Sequence, residues 1–457
     1  MITEAAKQEL IEIVGPERAS DSEEDLVAYS YDAYMAESRA DLILYPLSTE
    51  EVVAIVKVAG RYSIPITARG AGTNLAGQTV PVNGGIVLVF TMMDRILDID
   101  TENLTATVQP GVINHDLHLA VTKLGLLYPP DPSSWTFATM GGTVGTNAGG
   151  PKTVKYGVTS DYLLGLTVVL ADGTILETGR GSLRNVAGYD LTHLMCGSEG
   201  TLGIITEITV RLIPKPRDSR TLRAEFTDLV DCGRAVAKII EQGIVPSALE
   251  LMDKEIVAAV ESVGHFGLPS DVEGILLVEV DGDPESLDAQ MQRIENVLTE
   301  SGARGIIVAK DGAEAEALWK ARRAAFSAMA SLRPNSVTED ATVPVSRLPT
   351  MIAKVQEIAA KHELQIGVLA HAGDGNLHPL ILFDQRNQDE AHRVEAASEE
   401  IFREAVALGG TLSGEHGIGV AKKPYLPLSM SPVDMTVTKA LKQAFDPNGI
   451  LNPGKFV

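Results

Sequence analysis

Apolar positions along this chain switch between helical and alternating periods in a regular order. The segment Ile2–Val14 carries Ile2, Leu10, Ile11 and Val14 as an acidic amphipathic helix pattern. Thr49-Glu-Glu51 opens a second periodic helix running through Ala59. Ile64–Thr67 reads as a short strand and Gly85–Phe90 as a buried one. Two hairpins follow, Ile96–Ile99 with Thr105–Val108 and Gly165–Leu170 with Thr174–Glu177, the second across Asp172-Gly173. Gly203–Ile213 alternates as a half-buried strand should. Pro214-Lys-Pro-Arg217 then breaks the pattern and marks a domain boundary. Beyond it, strands at Leu222–Phe226, Ile275–Val280 and Gly305–Ala309 are each followed by a longer helix, over Asp231–Gln242, Ser286–Glu300 and Glu314–Ser331. A last helix over Asp389–Leu408 leads into a Gly-rich loop and a short tail. The pattern predicts an α+β fold in which the second domain packs helices on an antiparallel sheet.

Composition narrows the function classes. The chain has 457 residues, with 45% apolar and 22% charged, as in globular proteins. Lys+Arg number 38 against 61 Asp+Glu, a formal charge of −23. Such a surface offers no footprint for a nucleic-acid backbone and is repelled by anionic membranes. Solubility is the simpler reading of the acidity, and an acidic docking face for a redox partner the alternative. The only cysteines, Cys196 and Cys232, form no CxxC and cannot hold an iron–sulfur cluster. No apolar run approaches the ~20 residues of a membrane span. The N-terminal segment lacks the basic and apolar regions of a signal peptide. These features predict a cytoplasmic protein.

Glycine gathers in a few loops. Gly72-Thr-Asn-Leu-Ala-Gly77-Gln78-Thr79 nearly spells the GxxxxGK[ST] phosphate loop, but Gln78 stands where the lysine belongs, which argues against an NTPase. Gly70-Ala-Gly72 begins a GxGxxG pattern that Leu75 breaks, which disfavours a nicotinamide-type turn. Small residues exposing backbone N–H groups still suit a diphosphate. Taken alone, the loop is equally readable as a tight surface turn. Two further segments, Met140–Gly150 and Gly197–Gly203, favour a long flat cofactor with a diphosphate at its middle.

A second group of residues points to a metal. In His371-Ala-Gly-Asp-Gly-Asn-Leu-His378 the seven-residue spacing cannot place both histidines on one helix face. Asp374-Gly375-Asn376 is a turn sequence, so the two histidines belong on two arms facing a common point. By itself this is more simply a pair of hydrogen-bonded loop histidines. Glu415-His416 shifts the balance. Two histidines and a carboxylate leave open positions, as a catalytic metal site needs, and imidazoles favour zinc, manganese or iron over calcium or magnesium. Neighbouring side chains on an extended segment point to opposite sides, so Glu415 can ligate while His416 addresses a substrate.

The motifs ARGAGTNLAG (68–77), PPDPSS (129–134), GGTVGTNAGG (141–150), GSEGTLGIIT (197–206), HAGDGNLH (371–378), SGEHGIG (413–419) and NPGK (452–455) span nearly the whole chain in order. The chain resembles the flavoproteins of the p-cresol methylhydroxylase / vanillyl-alcohol oxidase type. Within them it is most similar to the D-2-hydroxyacid dehydrogenases, which include D-lactate dehydrogenase, the glycolate oxidase flavoprotein subunit and D-2-hydroxyglutarate dehydrogenase. The resemblance implies a two-part FAD-binding domain of the p-cresol methylhydroxylase type and an α+β substrate (cap) domain with an antiparallel sheet. The expected division is an N-terminal helical segment (1–37), the FAD-binding domain (38–217), the cap (218–410) and a C-terminal segment (411–457) returning to the FAD domain with the catalytic loop.

The resemblance further implies noncovalent FAD. It assigns the diphosphate to Arg69, Gly70, Ala71, Gly72, Thr73, Asn74 and Gly77. It assigns flavin and ribityl contacts to Pro130, Asp131, Ser134, Gly141, Gly142, Asn147, Gly150, Glu199, Gly200, Ile204 and Asn452. His371, His378 and Glu415 match the family's divalent-metal ligands and His416 its catalytic base. In the helix around residue 322, Arg322 matches the cation that takes the substrate carboxylate, while two of Lys320, Arg322 and Arg323 are expected to be solvated. Lys422 and Lys423 are expected at the surface. The implied reaction is oxidation of a D-2-hydroxy acid to the 2-oxo acid, with electrons passed to an iron–sulfur subunit, an electron-transfer flavoprotein or a quinone-linked acceptor. Leu380 departs from the polar residue of the 2-hydroxyglutarate enzymes, and Thr338 from their distal lysine, so a small monocarboxylate, D-lactate or glycolate, is expected. The alternatives are a D-2-hydroxyglutarate dehydrogenase, a flavin-free metal hydrolase using the same His/His/Glu set, and a non-catalytic flavin relay subunit.

Overall fold

The computed structural model describes residues 2–179 and 181–456. The chain forms two compact units, one built from residues up to Gly149, Val158–Lys215 and Glu415 onward, the other from Gly150–Gly157 and Pro216–Gly414.

The first unit holds two main sheets. In the smaller, Leu42–Leu44, Ile86–Val89 and Ile66–Arg69 run parallel, with Ile86–Val89 in the middle. All four residues of that central strand are buried, Ile86 and Leu88 on one face and Val87 and Val89 on the other. This is why it reads as an unbroken apolar run. The helices Glu4–Val14 and Thr49–Tyr62 cover one face through Leu10, Val14, Val52, Ile55 and Val56. Thr49–Tyr62 starts where Ser48 accepts the Glu51 N–H and ends at Ser63, whose φ is 52°. The larger sheet is antiparallel, in the order Ile96–Asp100, Thr105–Val108, Ile204–Arg211, Leu163–Val169, Ile175–Gly179. Both predicted hairpins are present in it.

The tail is more structured than its sequence suggested. Pro432–Phe445 is a 14-residue helix opened by a reciprocal Ser431/Asp434 capping box. The chain then returns to the parallel sheet, where Ile66 donates to the Ile450 carbonyl and accepts from the Asn452 N–H, both at 2.7 Å.

The second unit is one largely antiparallel sheet of eight strands. Its main path runs Gly305–Val308, Asp218–Phe226, Gly274–Gly282, Ala248–Asp253, Gln365–His371, Asn376–Phe383, Asn335–Thr338. Alternation sorts its residues between two faces. Leu249, Leu251, Val368, Ala370, Leu377 and Ile381 pack with the helices Leu229–Glu241, Pro284–Glu300, Leu348–His362 and Gln388–Ala407. Met252, Leu369, Leu380 and Leu382 pack on the other face with Lys254–Gly264 and Gly312–Ala330.

Asp253 joins two of these elements. Its carboxylate accepts from Ile256 N–H at the start of Lys254–Gly264 (2.9 Å) and from Val368 N–H on a neighbouring strand (2.7 Å). Burial pushes its pKa up to about 7. The folded state therefore holds a proton that the unfolded chain releases near pH 4, and this contribution to stability fades as pH rises through about 7. Asp253→Asn is expected to destabilise by about 1–3 kcal/mol, because one N–H loses its acceptor. Its deficit should shrink between about pH 4 and 7, by at most about 1.4 kcal/mol per pH unit. Denaturant melts of both proteins across that range check this, and a constant deficit would refute it.

Candidate active site

The strand Ile66–Arg69 delivers the first glycine loop. Arg69 is buried, stacks over Tyr29 at 5.3 Å and donates to the Tyr31 carbonyl at 2.6 Å, so its guanidinium braces the loop from beneath. Asn74 donates to Asp32 and to Gln78 Oε1 (2.8 Å). Gly70, Gly72 and Thr73 are half-buried, Ala71 is exposed and Gly77 is buried. In the second segment, Pro130 is buried and its carbonyl accepts from Asn114, while Asp131 and Ser134 are half-buried. Gly141 and Gly142 open the helix Met140–Thr146, which ends at Asn147 (φ 51°). A Cβ at Gly145 would meet no atom within 4 Å, and one at Gly142 would meet only Thr139 Oγ1, at 3.2 Å. That open backbone surface suits a flat ligand. Gly150 belongs to the other unit, where its N–H donates to Thr153 Oγ1. Gly200 is half-buried, and the Ile204 side chain lies in the apolar core.

The loop following Glu415 is tied to these segments by groups that the sequence reading did not assign to that task. Gln78 Nε2 donates to the His416 carbonyl at 2.6 Å. The buried Glu199 carboxylate accepts from Ile418 N–H (2.6 Å) and Gly419 N–H (2.8 Å). Burial raises its pKa despite these two donors. Gly417 has φ +77°, and a Cβ there would stand 2.5 Å from both Gln78 Nε2 and Glu199 Oε1. Asn452 donates to the Gln78 and Glu199 carbonyls, and the buried Lys455 ammonium to the Val80 carbonyl and Asn452 Oδ1. Burial brings Lys455 down to about 8. Glu199 and Asn452 hold φ of 54° and 41° outside any helix cap, a local cost that such a network can sustain. Glu415 and His416 lie in a bend, where the alternation of an extended strand does not apply. Lys422 is buried, contrary to the surface position expected for it.

In the second unit, Gln365–His371 and Asn376–Phe383 are antiparallel arms around a turn at Gly375 (φ +82°), where a Cβ would lie 2.0 Å from the Val343 carbonyl. His371 lies opposite Asn376, and His378 opposite Leu369, so both imidazoles project from one face as a diagonal pair. Their rings are 5.0 Å apart, edge to face, with a ring nitrogen of each within 4.8 Å of the other. A buried carboxylate flanks each of them. Glu250, across the next strand from His371, accepts from its Nδ1 at 2.8 Å. Asp340 lies 3.8 Å from His378 Nδ1 and accepts from Ser413 Oγ and Gly414 N–H, both at 2.8 Å. It thereby fixes the residue that precedes Glu415. From the helix Gly312–Ala330, Arg322 reaches Glu250 Oε2 through Nε (2.7 Å) and Nη2 (2.5 Å). Lys320 and Arg323 are exposed, and Arg322 is 4% exposed. Burial opposes the charge on Glu250, but Arg322 and His371 outweigh it and hold its pKa below the usual carboxylate range. Glu250 and Asp340 were not visible as site residues in the sequence. The strand of Glu250, and the two short strands that flank Asp340, pair with the histidine arms only in three dimensions.

Residues 40–179 match the FAD binding domain model, and residues 215–456 match the model for FAD linked oxidases, C-terminal domain. The chain belongs to the FAD-linked oxidases. It is 47% identical over 456 residues to glycolate oxidase subunit GlcD of Bacillus subtilis (strain 168), covering 100% of this chain and 97% of that protein. It is 37% identical to D-lactate dehydrogenase of Anaerostipes hadrus, over 97% of this chain and 95% of that one. The structure of p-cresol methylhydroxylase with substrate bound superposes with a TM-score of 0.81 at 19% identity, covering 99% and 97% of the two chains. The fold expected from the motifs is thus the fold observed. This FAD-linked oxidase is an oxidoreductase with FAD as cofactor, which leaves no place for a flavin-free hydrolase. Among the described residues, no helix is long and apolar enough to cross a membrane.

Glu199→Ala should release the 416–420 loop, because Ile418 and Gly419 lose their acceptor. Hydrogen-exchange mass spectrometry is expected to show faster exchange in peptides covering that loop, with the Gln365–Phe383 arms unchanged. Unaltered exchange in the loop would refute the anchoring role.

Proposed function

We propose that this FAD-linked oxidase oxidises a small D-2-hydroxy acid, D-lactate or glycolate, to the 2-oxo acid. The names of its relatives support that substrate class. The observation that carries the reading is the buried His371/His378 pair with a carboxylate beside each ring and Arg322 on the same sheet face. Two buried imidazoles flanked by carboxylates are a donor set suited to a divalent cation, and Glu415, the residue after the fixed Gly414, would complete it. Zinc fits this set, as do manganese and iron. FAD would lie along the residues assigned to it above, from Arg69–Gly77 to Asn452.

When bound, the flavin supplies a two-electron acceptor and the cation a Lewis acid. The chain's own residues do the rest. Glu250 occupies the Nε/Nη2 side of Arg322, so a substrate carboxylate would take the end-on edge of the guanidinium. A ring nitrogen of His416 would accept the hydroxyl proton. Gln78, bonded to the His416 carbonyl, and Glu199, bonded to the next turn, hold that imidazole's backbone still. Leu380 lies two residues beyond His378 on the same face, fully buried and unable to donate or accept a hydrogen bond. Beside it, Thr338 pairs across the strand. Neither offers a charge to a second carboxylate, which favours a monocarboxylate over D-2-hydroxyglutarate. Electrons would leave to an iron–sulfur subunit, an electron-transfer flavoprotein or a quinone-linked acceptor. The protein would act in the cytoplasm.

Anaerobic mixing with substrate tests the reading. D-lactate or glycolate should bleach the flavin, with L-lactate and D-2-hydroxyglutarate slower. No bleaching by either favoured acid, or fastest bleaching by D-2-hydroxyglutarate, would overturn it. His416→Ala should keep its flavin and lose turnover by about 10²–10⁴-fold, the usual range for a general base. A fully active variant would remove His416 from that role.

A further inference from the structure

Arg322 and His371 converge on one buried carboxylate, and that convergence has a chemical consequence. Glu250 is fully buried; its Oε1 and Oε2 lie 2.8 and 3.0 Å from His371 Nδ1, and Oε2 also accepts from Arg322 Nε, with Nη2 2.5 Å away as the ion-pair contact. An ionised carboxylate only accepts, so the proton of a neutral His371 must sit on Nδ1. Nε2 is then the lone-pair nitrogen, the one able to ligate a cation. Arg322, in turn, has its Nε/Nη2 side fixed, which sets the plane of the guanidinium.

We propose that Glu250 is a positioning residue that sets the tautomer and ring orientation of His371 for cation binding while aligning Arg322. This rests on the reading of His371 as a metal ligand. Glu250→Gln keeps size and shape but has one acceptor oxygen where two are used. If the amide turns its NH₂ toward His371, Nδ1 must accept, the ring proton moves to Nε2, and the ligating lone pair is lost. If it turns its NH₂ toward Arg322, donor faces donor and the guanidinium is displaced. Either arrangement breaks one of the two contacts. Outer-shell partners of this kind typically change metal affinity by about 10–100-fold.

Arg322→Met supplies the comparison, because it breaks the same ion pair but leaves the Glu250–His371 hydrogen bond in place. The flavin-loaded, full-length protein is stripped with chelator and titrated with zinc in equilibrium dialysis, alongside thermal melts without metal. The expected result is zinc affinity about 10–100-fold weaker in Glu250→Gln and not weakened in Arg322→Met. Equal weakening in both would mean that Glu250 matters only through the ion pair, and wild-type affinity in Glu250→Gln would overturn the proposal outright. If either single variant fails to fold, the double variant Glu250→Leu/Arg322→Met removes both charges together, a replacement that buried ion pairs often tolerate. It should still lose zinc affinity, and wild-type affinity there would equally overturn the proposal. The underlying reading fails separately: zinc uptake absent in the wild type, or unchanged by His371→Ala, would remove the metal set itself.

Discussion

The chemistry of the second unit hangs on the register between two strands. His371 and His378 are seven residues apart, and only the pairing of Leu369 with His378 and of His371 with Asn376 puts them on the same face. A slip of one residue would turn one imidazole into the apolar layer formed by Val368, Ala370 and Leu377. The turn residue Gly375 fixes that register, since any side chain there would strike the Val343 carbonyl. The same register aligns Glu250 with His371 on one side and brings Asp340 beside His378 on the other. Four titratable side chains thus stand in a row, three on adjacent strands and Asp340 in the connection beside them, because of one turn.

Such a row costs free energy that an apolar face would not. Taking Glu250 and Arg322 out of water carries a desolvation penalty of several kcal/mol per ion, which their mutual attraction offsets only with good geometry. Hydrophobic side chains would serve the packing at least as well: Leu380, Leu382, Met252 and Ile256 fill the rest of that face. Keeping a fully buried carboxylate between a guanidinium and an imidazole therefore has no explanation in stability. It makes sense where those two groups must present fixed edges to something else. Asp253, on the same strand, is a contrast: its partners are two backbone N–H donors, and burial, the largest influence on it, drives its titration upward, as a structural carboxyl should behave.

Much of this was legible in the sequence, and the reasons differ by element. The hairpins were readable because their turn residues are local and their alternation is clean. The strand Ile86–Val89 was readable because a strand buried on both faces is an unbroken apolar run. The two-armed placement of the histidines followed from Asp-Gly-Asn alone. Glu250 was not readable: Ala248-Leu-Glu-Leu-Met-Asp253 is a short strand whose two carboxylates are both buried, and nothing local distinguishes one that meets a histidine from one that caps a helix. Asp340 was hidden for the same reason. The helix Pro432–Phe445 was missed although Ser431-Pro-Val-Asp434 is a readable capping box; none of its residues is buried.

Gln78 shows how a departure from a motif can be informative. Where a phosphate loop would place lysine, this chain has a residue that uses both ends of its amide: Oε1 accepts from Asn74, and Nε2 donates to the His416 carbonyl 338 positions away. A lysine could make the second bond and not the first, since an ammonium has no acceptor. Two-sided hydrogen bonding is therefore what the position supplies. The loop's task has moved from holding a terminal phosphate with charge to holding a distant backbone segment with geometry. That segment carries His416, so a residue of the first glycine loop also fixes the backbone from which the imidazole projects.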